Sequence, residues 1–209
     1  MAIGPLLADA FREVVDLETR LLVTLRTLVT KPGRLTREYV AGRRAAYLSP
    51  FRLYVLATVV FGAAAAFSDL RFATNVADPD PDVWLRFWIW SVLGMLPIFA
   101  GILKLVVRTG RYYAEHLVFA THYHAFAFFV TAVVLPISEL SPSFPLRLGI
   151  LALLPVAVAV HLVQALRRSY GQSTLRALSS AVALLVGYSV VQFVALLLTG
   201  VIAGRVGPT

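Results

Sequence analysis

The sequence predicts an all-α integral membrane protein, with five transmembrane helices preceded by an amphipathic helix at the cytoplasmic interface. Three observations predict it. Hydrophobic residues make up 59% of the 209 and charged residues 14%, with a mean hydropathy of +0.79, a balance suited to lipid rather than water as solvent. Five apolar stretches, each about long enough to cross a bilayer, follow one another at 51–67, 84–107, 115–137, 146–166 and 178–203. Lysine and arginine crowd into every second connection between them. Two parts follow: a cytoplasmic amphipathic helix and basic juxtamembrane segment over 1–50, and a five-helix transmembrane domain over 51–209.

Residues 6–30 bring Leu7, Phe11, Val14, Leu17, Leu21, Leu25 and Leu28 round at intervals of three or four, with Arg12, Glu13, Asp16 and Arg20 between them. That spacing places an apolar stripe on one helix face, which lies along the headgroup boundary or packs against partner helices. The charges among the first twenty residues interrupt any apolar core of a cleavable signal. Lys31-Pro-Gly-Arg34 ends the helix, and the arginine-rich stretch from Leu35 to Ser49 leads into the first span. The connection from Ser68 to Val83, with Asp-Pro-Asp-Pro-Asp, is acidic and turn-rich. The second span opens on Trp84, Trp88 and Trp90, whose indoles favour the membrane boundary, and Pro97 is expected to bend it. Spans three to five are joined by a Ser/Pro-rich turn and by the compact loop from Arg167 to Arg176. Pro155 is expected to kink the fourth.

Nine lysines and arginines lie in the chain through Arg52, three at 104–111 and three at 167–176, against four on the opposite side, Arg71, Arg86, Arg147 and Arg205. The positive-inside rule then puts the N-terminus in the cytoplasm and the C-terminus outside it. The net charge of +8 is thereby read as topology and attraction to anionic lipid. No folded module presents these residues to nucleic acid. The absence of cysteine removes disulfides, thiolate metal sites and cysteine nucleophiles, and no phosphate loop, HExxH or GxSxG pattern is present.

All four histidines, His116, His122, His124 and His161, fall in or against spans three and four. Ionisable groups at membrane depth are expensive and often mark function. At about 100° per residue, His116 and His122 share a sector of the third helix and His124 points nearly opposite. His122 and His161 come to a similar depth, with Gln164 nearer the boundary. The sequence therefore offers an intramembrane polar cluster of His116, His122, His124, His161 and Gln164 beneath a rim of Arg43, Arg44, Arg52, Lys104, Arg108 and Arg111. Four readings stand: hydrogen bonds that only specify helix packing, a pocket for an anion or lipid headgroup, a proton path, or metal or haem ligation through His122 and His161. No cofactor is otherwise expected. Gly200 and Gly204 match GxxxG, a route to homo-oligomers.

Two stretches, from Thr27 to Tyr54 and from Glu115 to His124 followed by Ala165 to Ser173, resemble bacterial membrane proteins of domain-of-unknown-function family thirty-six sixty-seven. The resemblance implies the bacterial cytoplasmic (inner) membrane as location. It implies that Arg43, Arg44, Tyr47, Pro50 and Arg52, with His116, His122, His124, Tyr170 and Gly171, match the family's motifs. Similar proteins often carry an N-terminal zinc ribbon, which this cysteine-free chain lacks. The expected function is that of a non-enzymatic accessory subunit of a larger membrane complex or a lipid-interacting module. A transporter or channel component using the histidines is the alternative, and a membrane-embedded enzyme with histidine as acid or base the third.

Overall fold

The computed structural model describes residues 18–67 and 81–205, without the side chains of 67, 81–93, 196 and 198–205. Seven helices and no strand occur among the described residues: α1 over 18–30, α2 (Arg34–Val40), α3 (Pro50–Phe67), α4 (Pro81–Val107), α5 (Tyr113–Glu139), α6 (Phe144–Tyr170) and α7 (Thr174–Arg205). The first part of the amphipathic helix, most of the acidic connection, the tryptophan belt and the GxxxG pair lie outside the described residues or side chains.

Proline sets several helix starts. Pro50 and Pro81 open α3 and α4, and Pro145 lies in the first turn of α6, where the missing N–H has no helical partner and the fixed φ suits the first turn. Further along, α4, α5 and α6 continue through Pro97, Pro136 and Pro155. Gly171 closes α6 at φ 66, the left-handed conformation in which glycine carries no Cβ penalty.

Tyr113–Glu139, Phe144–Tyr170 and the Thr174–Ala195 part of α7 are long and apolar enough to cross a membrane. Pro50–Ala66 and Gly94–Val107 are shorter apolar stretches. Outward-facing Val59, Val133, Leu153, Val156, Val182, Val186 and Phe193 are each more than half exposed, an exterior matched to lipid tails.

The central helix is α5, packed against α3, α4, α6 and α2, while α7 packs on α4 and α6. Residues 119–126 of α5 are buried on every side, because neighbours cover all faces of those two turns. In lipid, burial against protein brings little release of apolar surface from water, so helices associate through close packing. Small residues make that possible here: Ala57, Ala100, Ala120, Ala125, Ala177 and Ala181 are almost wholly covered. Around them Tyr54, Phe99, Leu103, Phe119, Leu162, Leu166 and Leu184 fill the main core, and Phe61, Ala132 and Leu135 form a smaller layer.

One end of the bundle gathers α1, α2, the start of α3 and the connections α4–α5 and α6–α7, and with them most of the described arginines. At the other end Arg147 pairs with Glu139 across the α5–α6 turn.

Candidate functional site

The basic end is closed by a plug. Thr30 ends α1, Lys31 N–H donates to the Thr27 carbonyl and Arg34 N–H to the Lys31 carbonyl, and Gly33 turns the chain at φ 78. This turn enters the bundle. A Cβ placed on Gly33 would lie 2.5 Å from the Ala165 carbonyl oxygen and 2.8 Å from Ser169 Oγ. The Ser169 hydroxyl donates to the Gly33 carbonyl at 3.0 Å. Beyond the turn, Leu35 and Thr36 of α2 are fully buried, and α2 packs against α5 and α6. The basic stretch read as juxtamembrane thus holds a short helix docked in the protein.

Over 18–30, α1 packs part of its apolar stripe against the protein. Leu28 is buried with Leu35, Leu53, Ala125 and Phe126, while Leu22, Val23 and Val29 stay exposed. Thr24 ties it down: its hydroxyl donates to the Arg20 carbonyl at 2.6 Å and accepts from Leu48 N–H at 3.0 Å.

The five polar residues placed inside the membrane by sequence do not form one cluster. His122 Nδ1 meets Thr36 Oγ1 at 2.9 Å, which couples α5 to the plug, and its Nε2 is buried without a hydrogen-bond partner among the described residues. His161 on α6 is buried and stacks on Phe126 with ring centroids 3.5 Å apart. Both histidines line one small cavity of about 10 Å³, together with Gly33, Thr36, Tyr123 and Ala165. His124 faces α7 instead. Its Nδ1–H donates to the Ala120 carbonyl at 2.8 Å, which leaves Nε2 to accept from the Tyr188 hydroxyl at 2.9 Å. Because a carbonyl can only accept, this geometry fixes the tautomer. His116 stacks on Tyr170 and meets its hydroxyl at 2.9 Å. Gln164 is separate, on an open cleft with Arg167, Arg168 and Gln172. The physical reason for the scatter is that α5 is covered on all sides, so residues one or two positions apart meet different neighbours.

The arginine rim is likewise sorted. Arg43 pairs with Glu38, and Arg34 lies 3.8 Å from the same carboxylate. The hydrogen bond from Arg43 holds the Glu38 carboxyl below its ordinary range, against the opposing effect of desolvation. Arg111 is a structural clamp: it donates to the Ser169 carbonyl at 2.7 Å, lies 3.7 Å from Glu115 and sits 4.7 Å over the Tyr170 ring. Lys104 is exposed at the end of α4.

Arg44 and Arg52 line a pocket of about 210 Å³ with Arg20, Tyr39, Tyr47 and Ser49, and the Arg44 guanidinium lies 4.9 Å over the Tyr39 ring. Arg108, with φ 46, lines an open cleft of about 600 Å³ with Arg176, Ser179 and Ser180 above apolar Leu105 and Val106. No three histidine, aspartate or glutamate side chains come together as a metal-ligand set among the described residues. Gly33, Thr36 and Tyr39 are the site residues that sequence reasoning misses. The Pro-Gly turn signals a break in the chain, and nothing in its composition says that the turn docks.

A helical, membrane-type bundle closed at its basic end by a docked plug is the class these features define. Residues 18–62 match the model of a family described as Protein of unknown function (DUF3667). The matched range runs from α1 through α2 into α3, so it covers the plug and the helix that the plug leads into. No curated protein and no solved structure matches the chain.

Proposed function

We propose that the protein is a five-span membrane protein with its basic end in the cytoplasm, acting as a non-enzymatic module that binds the anionic headgroups of membrane phospholipids. The observation that carries this reading is the Arg20–Arg44–Arg52 pocket. Three guanidiniums, two tyrosines and a serine line it, and no carboxylate is among its described lining residues. Such a set matches a phosphate: planar forks donate in pairs to its oxygens and hydroxyls add single bonds. The pocket also stands beside Pro50, where apolar α3 begins, the level at which headgroups meet protein.

Support for five spans comes from length and charge. At 1.5 Å per residue the 18 residues of α3 extend about 27 Å and the 27 of α4 about 40 Å, near or above the bilayer's apolar thickness. The basic connections then share one side.

Native mass spectrometry of the protein released from nanodiscs tests the reading. With equal phosphatidylglycerol and phosphatidylethanolamine present, the wild type should retain the anionic lipid preferentially. At about 1 kcal/mol per surface arginine, Arg44→Ala with Arg52→Ala should weaken that retention by about 30-fold. Equal retention of both lipids by the wild type, or retention unchanged in the double variant, would overturn it.

A further inference from the structure

The cavity between the plug and α6 carries a second, independent inference. His122 is 3% exposed and its Nε2 has no hydrogen-bond partner among the described residues. His161, 5% exposed, borders the same cavity. Tyr123 borders the cavity as well, with its ring stacked on Phe99 of α4. An unpaired polar atom buried in a low-dielectric interior costs about 1–3 kcal/mol, and His122 Nε2 is such an atom.

The volume selects the occupant. About 10 Å³ is on the order of one water-sized sphere, and a buried water needs two to four polar partners. An ion is disfavoured, because the lining offers two imidazoles and a phenol but no carboxylate, and a buried charge left unpaired costs several kcal/mol.

We propose that this cavity holds a single ordered water molecule that bonds His122 Nε2 and His161 and latches the plug to the bundle. Thr36 of α2 bonds His122 Nδ1 at 2.9 Å, so the chain runs from plug to α5 to water to α6. With the Thr36 hydroxyl donating to Nδ1, the Nε2–H donates to the water, which in turn donates to a His161 ring nitrogen. The latch works beside the backbone contact at Gly33, and neither element involves the arginine pocket.

Nuclear magnetic resonance of the full chain in nanodiscs, with nitrogen-15 histidine, reads the site directly. The wild type should show His122 protonated at Nε2 with a cross-peak from that proton to a bound water. His161→Phe, which keeps the ring and removes its nitrogens, should abolish the cross-peak and leave the His124 signals in place. Loss of one bridging hydrogen bond, worth about 1 kcal/mol, should speed amide exchange in residues 34–40 about five-fold, and His161→Gln should restore most of the protection. If the phenylalanine variant does not fold, His161→Leu should abolish the same cross-peak. The proposal is overturned by a wild-type His122 without a water cross-peak, by a cross-peak that survives His161→Phe or His161→Leu, or by a stoichiometric metal whose removal by chelator shifts both histidines.

Discussion

Replacing Gly33 by alanine should undock the plug, and the expected size follows from two separable terms. The first is conformational: at φ 78 an L side chain carries the left-handed penalty of about 1 kcal/mol. The second is collision. The added Cβ would meet the Ala165 carbonyl oxygen at 2.5 Å and the Ala165 Cα at 2.9 Å, and these are backbone atoms of a packed helix that cannot turn aside. Relief requires the turn to move away. That breaks the Ser169 to Gly33 hydrogen bond and separates Thr36 from His122, together about 2 kcal/mol of polar contact. A total near 3 kcal/mol corresponds to about a 150-fold rise in the undocked population. Gly42→Ala and Gly171→Ala isolate the first term, since those glycines have φ 83 and 66 and open space around the would-be Cβ; each should cost about 1 kcal/mol. Hydrogen–deuterium exchange of residues 24–40 in nanodiscs distinguishes the three variants. Gly33→Ala should expose this segment while the middle of α5 stays protected, and protection equal to that of Gly42→Ala would refute the packed turn.

Other outcomes follow from the same geometry. Tyr188→Phe removes the donor to His124 Nε2 and should lower stability by about 1 kcal/mol, read as thermal unfolding in detergent, whereas Tyr188→Trp should be worse because that site is packed against Phe99. The Glu38 carboxyl is held below its usual value mainly by Arg43, so its contribution to plug docking is fully present above the unfolded carboxylate range. It is lost as pH falls through the lowered folded value; Glu38→Gln should remove this acid sensitivity from the exchange of residues 34–43, and an unchanged acid profile would argue against the pair. Retention of anionic lipid should weaken as salt rises, since screening shortens the reach of the arginine charges, and a salt-independent retention would contradict a charge-driven pocket.

The helices were within reach of hydropathy because each apolar run has little alternative to being a helix in lipid. The run at 115–137 is α5 (Tyr113–Glu139), and that at 146–166 is α6 (Phe144–Tyr170). The plug is less legible. Thr36 and His122 are 86 residues apart, and Ser169 and Gly33 136 apart, so their meeting depends on tertiary packing that no local pattern encodes. Helical angle separates His122 from His124, and they do face different neighbours, Thr36 and Tyr188. Helical angle alone gives no partner. It also cannot separate Arg43 and Arg111, engaged by Glu38 and by Ser169 and Glu115, from Arg44 and Arg52, which face the pocket. Arg43 and Arg111 each stand by a carboxylate, Glu38 and Glu115, whereas Arg44 donates to the Tyr39 carbonyl at 3.4 Å and the described lining of its pocket holds no carboxylate.

The most direct measurement is a density map of the full chain in nanodiscs containing phosphatidylglycerol. The map should show α2 seated between α5 and α6 with Thr36 against His122, and phosphate density within hydrogen-bond reach of Arg44 and Arg52. A map with α2 away from α5, or with that arginine pocket filled by protein side chains and phosphate density only elsewhere, would contradict it.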